Sequence, residues 1–122
     1  MAIATLGVIA LDCPDPRALA EFYAAVLGGR IEGEGEWVEV RGHEGTRLAF
    51  QRVADYVPPR WPGSEQPQQL HLDLYVPRER LDAAEREVLA LGARLLDGDH
   101  GGRRGWRVYA DPVGHPFCLC VC

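Results

Sequence analysis

The chain states one pattern twice. A helix-like stretch closes on Leu27-Gly28-Gly29-Arg30-Ile31, and a second closes on Leu91-Gly92-Ala93-Arg94-Leu95, 64 residues later. Beyond each, a tryptophan opens a strand-like run, Trp37 and then Trp106. In 122 residues such a period leaves room for two copies and little else. Each copy reads strand, helix, strand, strand, strand. The expected fold is therefore α+β: two βαβββ units with pseudo-twofold symmetry, forming a curled mixed sheet around a cleft with the helices outside. Unit one spans 1–53, a connecting arm 54–69 and unit two 70–122, together a single domain.

Local signals agree with that plan. Thr5 to Asp12 reads as a strand that is apolar on both faces. Asp15 is placed to cap a helix with Pro16 at its first position. Leu19, Phe22, Tyr23 and Val26 then fall on one helical face. Strands follow from Arg30, from Glu36 to Arg41 and from Thr46 to Val53. Val38 and Val40 alternate against Trp37, Glu39 and Arg41. In the second copy, Leu70, Leu72, Leu74 and Val76 alternate with His71, Asp73 and Tyr75. That is a strand with a greasy side and a side bearing an imidazole, a carboxylate and a phenol. Leu81, Ala84, Val88 and Leu91 mark the second helix. Strands are expected at Ala93–Leu96, Trp106–Ala110 and Phe117–Cys122, with Asp111-Pro112-Val113-Gly114 as a tight turn.

Residues 54 to 69 break the pattern. Pro58, Pro59, Pro62 and Pro67 exclude regular structure there. Tyr56 and Trp61 need somewhere to go: docked on the body, capping a pocket or against a second subunit.

Charge and cysteines narrow the function classes. The net charge is -5 with no basic block, which argues against nucleic acid as a partner. No apolar run approaches a membrane span, and the N-terminus lacks the basic start of a signal peptide. A cytoplasmic protein is expected. Cys118, Cys120 and Cys122 alternate along one strand at about 6.8 Å per step, too stretched for easy disulfides. With Cys13 they are read as reduced thiols.

Several motifs, in order, resemble the vicinal oxygen chelate superfamily, which includes glyoxalase I, bleomycin- and fosfomycin-resistance proteins and extradiol dioxygenases. The first unit contributes Asp15-Pro16, Phe22-Tyr23 and Leu27-Gly28. The second contributes His71-Leu72-Asp73-Leu74, Leu91-Gly92-Ala93 and Ala110-Asp111-Pro112-Val113-Gly114 with Phe117. The likeness spans nearly the whole chain and is nearest to the small glyoxalase-like proteins. It implies a cleft whose floor holds a divalent metal, acting as a Lewis acid on two vicinal oxygens. Counting from the shared motifs, the four ligand positions fall on Val8, Gln51, His71 and Cys118. His71 alone is a standard ligand of the family. Valine has no donor, Gln51 is a neutral amide and Cys118 is a soft thiol. The set is degenerate, so no metal cofactor is expected. A zinc site of His71 with the C-terminal cysteines would need four converging ligands, which thiols strung along one strand do not supply.

By strand parity the cleft face carries Val8, Ala10, Asp12, Ala49, Gln51, His71, Asp73, Tyr75, Cys118 and Cys120. His71 beside Asp73 is either a general base oriented by a carboxylate or a pair of half-buried groups that satisfy each other. His71 with Cys118 is a third arrangement, a base and a thiol nucleophile. His43, His100 and His115 are assigned to solvated turns and loops, His100 beside Arg103 and Arg104.

The expected function is binding of a small, partly aromatic organic molecule in the cleft, through Gln51, His71, Asp73, Tyr75, Trp61 and Cys118. The alternative is a lyase, isomerase or dioxygenase of the superfamily using an atypical metal site or His71 as acid and base. A third reading makes the chain a subunit or regulatory partner with the proline arm as contact. A homodimer is expected, as is common in the family.

Overall fold

The computed structural model describes residues 2–60 and 65–121. The chain divides into two compact units, Met1–Tyr56 and Val57–Cys122, so most of the proline arm goes with the second. In unit one, β1 (Val8–Cys13) leads into α1 (Pro16–Leu27), then β2 (Arg30–Glu34), β3 (Trp37–Arg41) and β4 (Arg47–Arg52). In unit two, β5 (Leu72–Val76) leads through a short 3-10 turn (Arg78–Arg80) into α2 (Leu81–Ala90), then β6 (Arg94–Asp97), β7 (Trp106–Ala110) and β8 (Pro116–Val121).

The two units share one connectivity. Sheet order is β1-β4-β3-β2 in the first and β5-β8-β7-β6 in the second. The first strand of each pairs in parallel with the last, and the other pairs are antiparallel. A parallel pair cannot be closed by a hairpin, which is why each unit needs its helix as the crossover.

Helix α1 starts and stops where the sequence places it. The Asp15 carboxylate accepts from the Ala18 amide at 3.3 Å. Gly28 closes the helix in the left-handed region at φ 81°, its amide donating to Ala24. The apolar face of α1 lies on β2, β3 and β4. Tyr23 stacks on Phe50 with ring centroids 5.6 Å apart, and Phe22 meets Tyr23 edge-on at 4.9 Å. Val38, Val40, Leu48 and Leu11 complete that buried layer. In unit two, Tyr109 stacks on Phe117 at 5.3 Å, with Leu119, Leu81 and Val88 buried around them.

Several boundaries differ from expectation. The first strand starts at Val8, because only there does pairing with Arg47 begin. The central strand starts at Leu72, where pairing with Phe117 begins, so Leu70 is exposed and His71 stands just before the strand. Leu91 lies past the end of α2 and turns outward. His43 is half-buried rather than solvated, with Nε2 3.0 Å from the Thr46 carbonyl.

Candidate functional site

Helix α2 defines the two faces of the second sheet. The Tyr109 hydroxyl donates to Glu85 on α2 at 2.8 Å, and Arg107 donates to Asp82 at 2.7 Å. Residues sharing parity with these two, Leu72, Leu74, Phe117 and Leu119, therefore lie on the helix side. The opposite face carries Asp73, Tyr75, Cys118, Cys120, Val108 and Trp106. Register places them in two rows, Asp73–Cys118–Val108 and Tyr75–Cys120–Trp106.

The first row holds the reactive groups. His71 Nε2 lies 3.2 Å from Asp73 Oδ1. The imidazole, the carboxylate and the Cys118 sulfur all lie within 4.8 Å of one another. Register sets Asp73 directly beside Cys118, with Cys120 two residues further along β8. Burial pushes the Cys118 thiol up to about 12, and the negative charge of Asp73 adds to the shift. Cys120 is raised for the same two reasons. A thiol held protonated at neutral pH is a poor nucleophile. His71 and Cys118 lean on the same carboxylate, which does not favour a base–nucleophile pair.

The second row is an aromatic platform. Tyr75 and Trp106 flank Cys120 across three adjacent strands and are 73% and 45% exposed. The Arg104 guanidinium lies 4.7 Å from the Trp106 ring centroid, a cation–π distance. Arg104 is fixed there. It pairs with Asp97 at 3.1 Å and donates to the carbonyls of Gly98 and Trp106, and Nη1 lies 3.2 Å from His100 Nε2. The loop 98–105 is therefore not simply solvated, as its glycines suggested. Asp99 anchors it from the other side, 2.9 Å from Arg107 Nη2.

The expected site residues sort as follows. His71, Asp73, Tyr75 and Cys118 come together on one face of unit two. Gln51 and Val8 belong to unit one, where parallel register sets Gln51 beside Asp12 and Val8 beside Arg47. Four residues of strand, about 13 Å, separate those two rows. Val8 and Gln51 do not converge on one ion, and Val8 has no donor atom. The family's four-position metal set does not fit this chain. Trp61 lies outside the described residues.

Sequence reasoning missed Arg104 and Asp97 as neighbours of the platform. Trp106 was noticed as a repeat marker, and parity with Cys120 would have placed it. Asp111 is a structural residue: buried, its Oδ1 accepts from the amides of Val113 at 2.9 Å and His115 at 3.0 Å.

The chain matches the family model described as a glyoxalase-like domain over residues 8–120. It belongs to that family, within the vicinal oxygen chelate superfamily. Solved structures share the fold at low identity. A glyoxalase/bleomycin resistance protein/dioxygenase family enzyme from Burkholderia phytofirmans PsJN superposes with a TM-score of 0.75 at 17% identity, over 97% of this chain and 98% of that one. A hypothetical protein from S. aureus gives 0.72 at 19%, over 98% of each chain. A glyoxalase-related enzyme from Fulvimarina pelagi gives 0.69 at 24%, over 98% of this chain and 89% of that one. No curated protein matches the sequence. Among the described residues no helix is long and apolar enough to cross a membrane.

Proposed function

We propose that the protein binds a small organic molecule bearing an aromatic ring on the second sheet's face turned away from α2, without the family's divalent metal set. One observation carries this reading: Tyr75 and Trp106 stand exposed in one register row over Cys120. Two rings two strands apart, separated by a small polarizable side chain, offer a planar ligand stacking surface on either side. The adjacent row supplies polar groups, His71 and Asp73, to fix orientation. Gln51 and Trp61 are kept as further contacts of the ligand, and a cytoplasmic homodimer as its assembly. The test is a thermal-shift screen of aromatic metabolites and drugs on chelator-treated protein, followed by calorimetry on the best binder. Loss of binding in Trp106→Ala and Tyr75→Ala, with melting unchanged, supports the reading. A binder indifferent to both substitutions overturns it.

A second reading has its own observation, the 3.2 Å contact between His71 and Asp73. An imidazole oriented by a carboxylate is suited to move a proton. Two structural neighbours bear the names dioxygenase family enzyme and oxidase. On this reading the protein is a lyase, isomerase or dioxygenase, with His71 as acid and base or an atypical metal site. His71→Ala would then abolish turnover while the ligand still binds. Retained turnover removes His71 from the mechanism.

A further inference from the structure

We propose that the first unit binds a saccharide on the face of its sheet turned away from α1, through Asp12, Gln51 and Trp37. Register sets the three side by side, Asp12 on β1 opposite Gln51 on β4 and Gln51 opposite Trp37 on β3. Phe50, one residue before Gln51, stacks on Tyr23 of α1, and its row partners Leu11 and Val38 are buried. The row Asp12–Gln51–Trp37 therefore points the other way. Trp37 is 40% exposed, and Asp12 and Gln51 are exposed with it. Strands about 4.8 Å apart set carboxylate, amide and indole along a line of roughly 10 Å, the reach of one or two sugar rings.

The indole is fixed by its edge. Its Nε1–H donates to Glu39 Oε2 at 2.9 Å, and Arg41 Nε donates to Glu39 Oε1 at 2.9 Å. Arg41 in turn lies 3.6 Å from Glu32, which accepts from Arg30 at 2.8 Å. The bonds from Trp37, then from Arg41, hold the Glu39 carboxyl below its ordinary value. The one polar atom of the ring is thus spent on the protein, and what it offers a ligand is its apolar face. A sugar presents the matching surfaces: a patch of C–H bonds on one side of its ring, and hydroxyls around the rim that both donate and accept. Gln51 supplies two donors and an acceptor, and the Asp12 carboxylate accepts from more than one hydroxyl. In the second unit the equivalent row is Tyr75–Cys120–Trp106. The tryptophan is kept there, but a phenol and a thiol stand where the first unit has a carboxylate and an amide. One copy of the repeat thus suits a flat ring, and the other a ring edged with hydroxyls. The saccharide site goes beyond the ligand-binding reading and does not rest on it; the two share only Gln51.

The test is saturation-transfer NMR on the full chain with methyl glycosides at millimolar concentration, the α and β anomers of glucose, galactose and mannose. At least one should receive saturation, strongest on the C–H protons of one ring face. It should also shift the Trp37 indole N–H resonance, assigned by its loss in Trp37→Phe. Trp37→Ala should abolish the transfer, and Trp37→Phe, which keeps an aromatic face, should retain part of it. Gln51→Leu and Asp12→Ala should each weaken binding by about tenfold. No transfer to any glycoside of the panel overturns the proposal, as does transfer that survives Trp37→Ala. Should Trp37→Ala fail to fold, Gln51→Leu and Asp12→Ala decide: unchanged affinity in both overturns it. The aromatic-ligand screen is read through Tyr75 and Trp106 of the second unit, so a failed glycoside panel leaves that result standing, and the reverse.

Discussion

Tyr109 and Glu85 join the second sheet to its helix through one hydrogen bond, the tyrosine hydroxyl donating to the carboxylate at 2.8 Å. The tyrosine is fully buried, hydroxyl included, where the sheet meets α2. The same carboxylate lies 3.3 Å from Arg107 Nη1, a charge contact without hydrogen-bond geometry. Tyr109→Phe keeps the ring and its stacking on Phe117 and removes only the donor. The expected loss is about 1 to 2 kcal/mol, since a hydrogen bond to a charged acceptor is among the stronger ones. Urea denaturation with an unchanged slope checks it. A loss near zero would mean that water replaces the hydroxyl at no cost.

The aromatic core of the first unit should be far less forgiving. Tyr23 and Phe50 are fully buried and stacked. Phe50→Ala removes one stacking partner and opens a cavity under α1. The expected cost is about 3 to 5 kcal/mol, a large share of the stability of a domain this size. Thermal melting of the variant, or its failure to accumulate folded, is the measurement.

Gly28 and Gly29 make a paired test because they differ in one respect. At Gly28 an added Cβ would meet nothing within 4 Å, but φ is +81°. Gly28→Ala therefore carries only the left-handed backbone penalty, about 1 kcal/mol. At Gly29 φ is ordinary, but a Cβ would sit 2.6 Å from the Arg41 carbonyl oxygen and 2.8 Å from Val40 Cγ1. Gly29→Ala must displace β3 or the start of β2, and it should be the more damaging of the two. The reverse order in a chemical melt would contradict that close approach.

These glycines also show what a sequence can and cannot carry. Gly28 was legible because a Leu-Gly pair after an apolar helical stripe states a helix end in local terms. Alternation set Val38 and Val40 against Trp37, Glu39 and Arg41, and the valines are the buried set. Gly29 was not legible as a close approach, since the clash is with a strand twelve residues away. At the site, parity alone put His71, Asp73, Tyr75 and Cys118 on one face. Arg104 was read only as part of a solvated loop with His100 and Arg103. Its position depends on Asp97, Gly98, His100 and Trp106 closing around it, and a glycine-rich loop gives no periodic signal of that. The metal positions counted from motifs also failed to converge in unit one. Register between β1 and β4 is a pairing property, not a property of either strand read alone.

Acid should release the loop that carries Arg104. Asp99 joins it to β7 through Arg107, with carboxylate Oδ2 2.9 Å from Nη2 and 3.0 Å from Nε, and its Oδ1 accepts from the Gly102 amide at 3.1 Å. The hydrogen bond from Arg107 holds the Asp99 carboxyl below its ordinary value of 3.8, against a smaller opposing effect of desolvation. A depressed folded-state value means the unfolded chain takes up the proton first as pH falls. The stabilisation is therefore complete above the ordinary value and is lost as pH drops through the lower, folded-state one. Arg107 stays charged throughout: burial opposes its charge, but the hydrogen bonds it donates to Asp82 and Asp99, together with the Tyr109 hydroxyl and the charge of Glu85, outweigh that. Asp99→Asn should mimic acid at neutral pH, loosening residues 98–105 and with them the Arg104 contact on Trp106. Amide hydrogen exchange of that loop is the direct readout. The variant should show faster exchange at neutral pH and no further gain below the ordinary carboxylate range. Exchange equal to that of the unaltered protein would show that Asp97 and the Arg104 bonds hold the loop without Asp99.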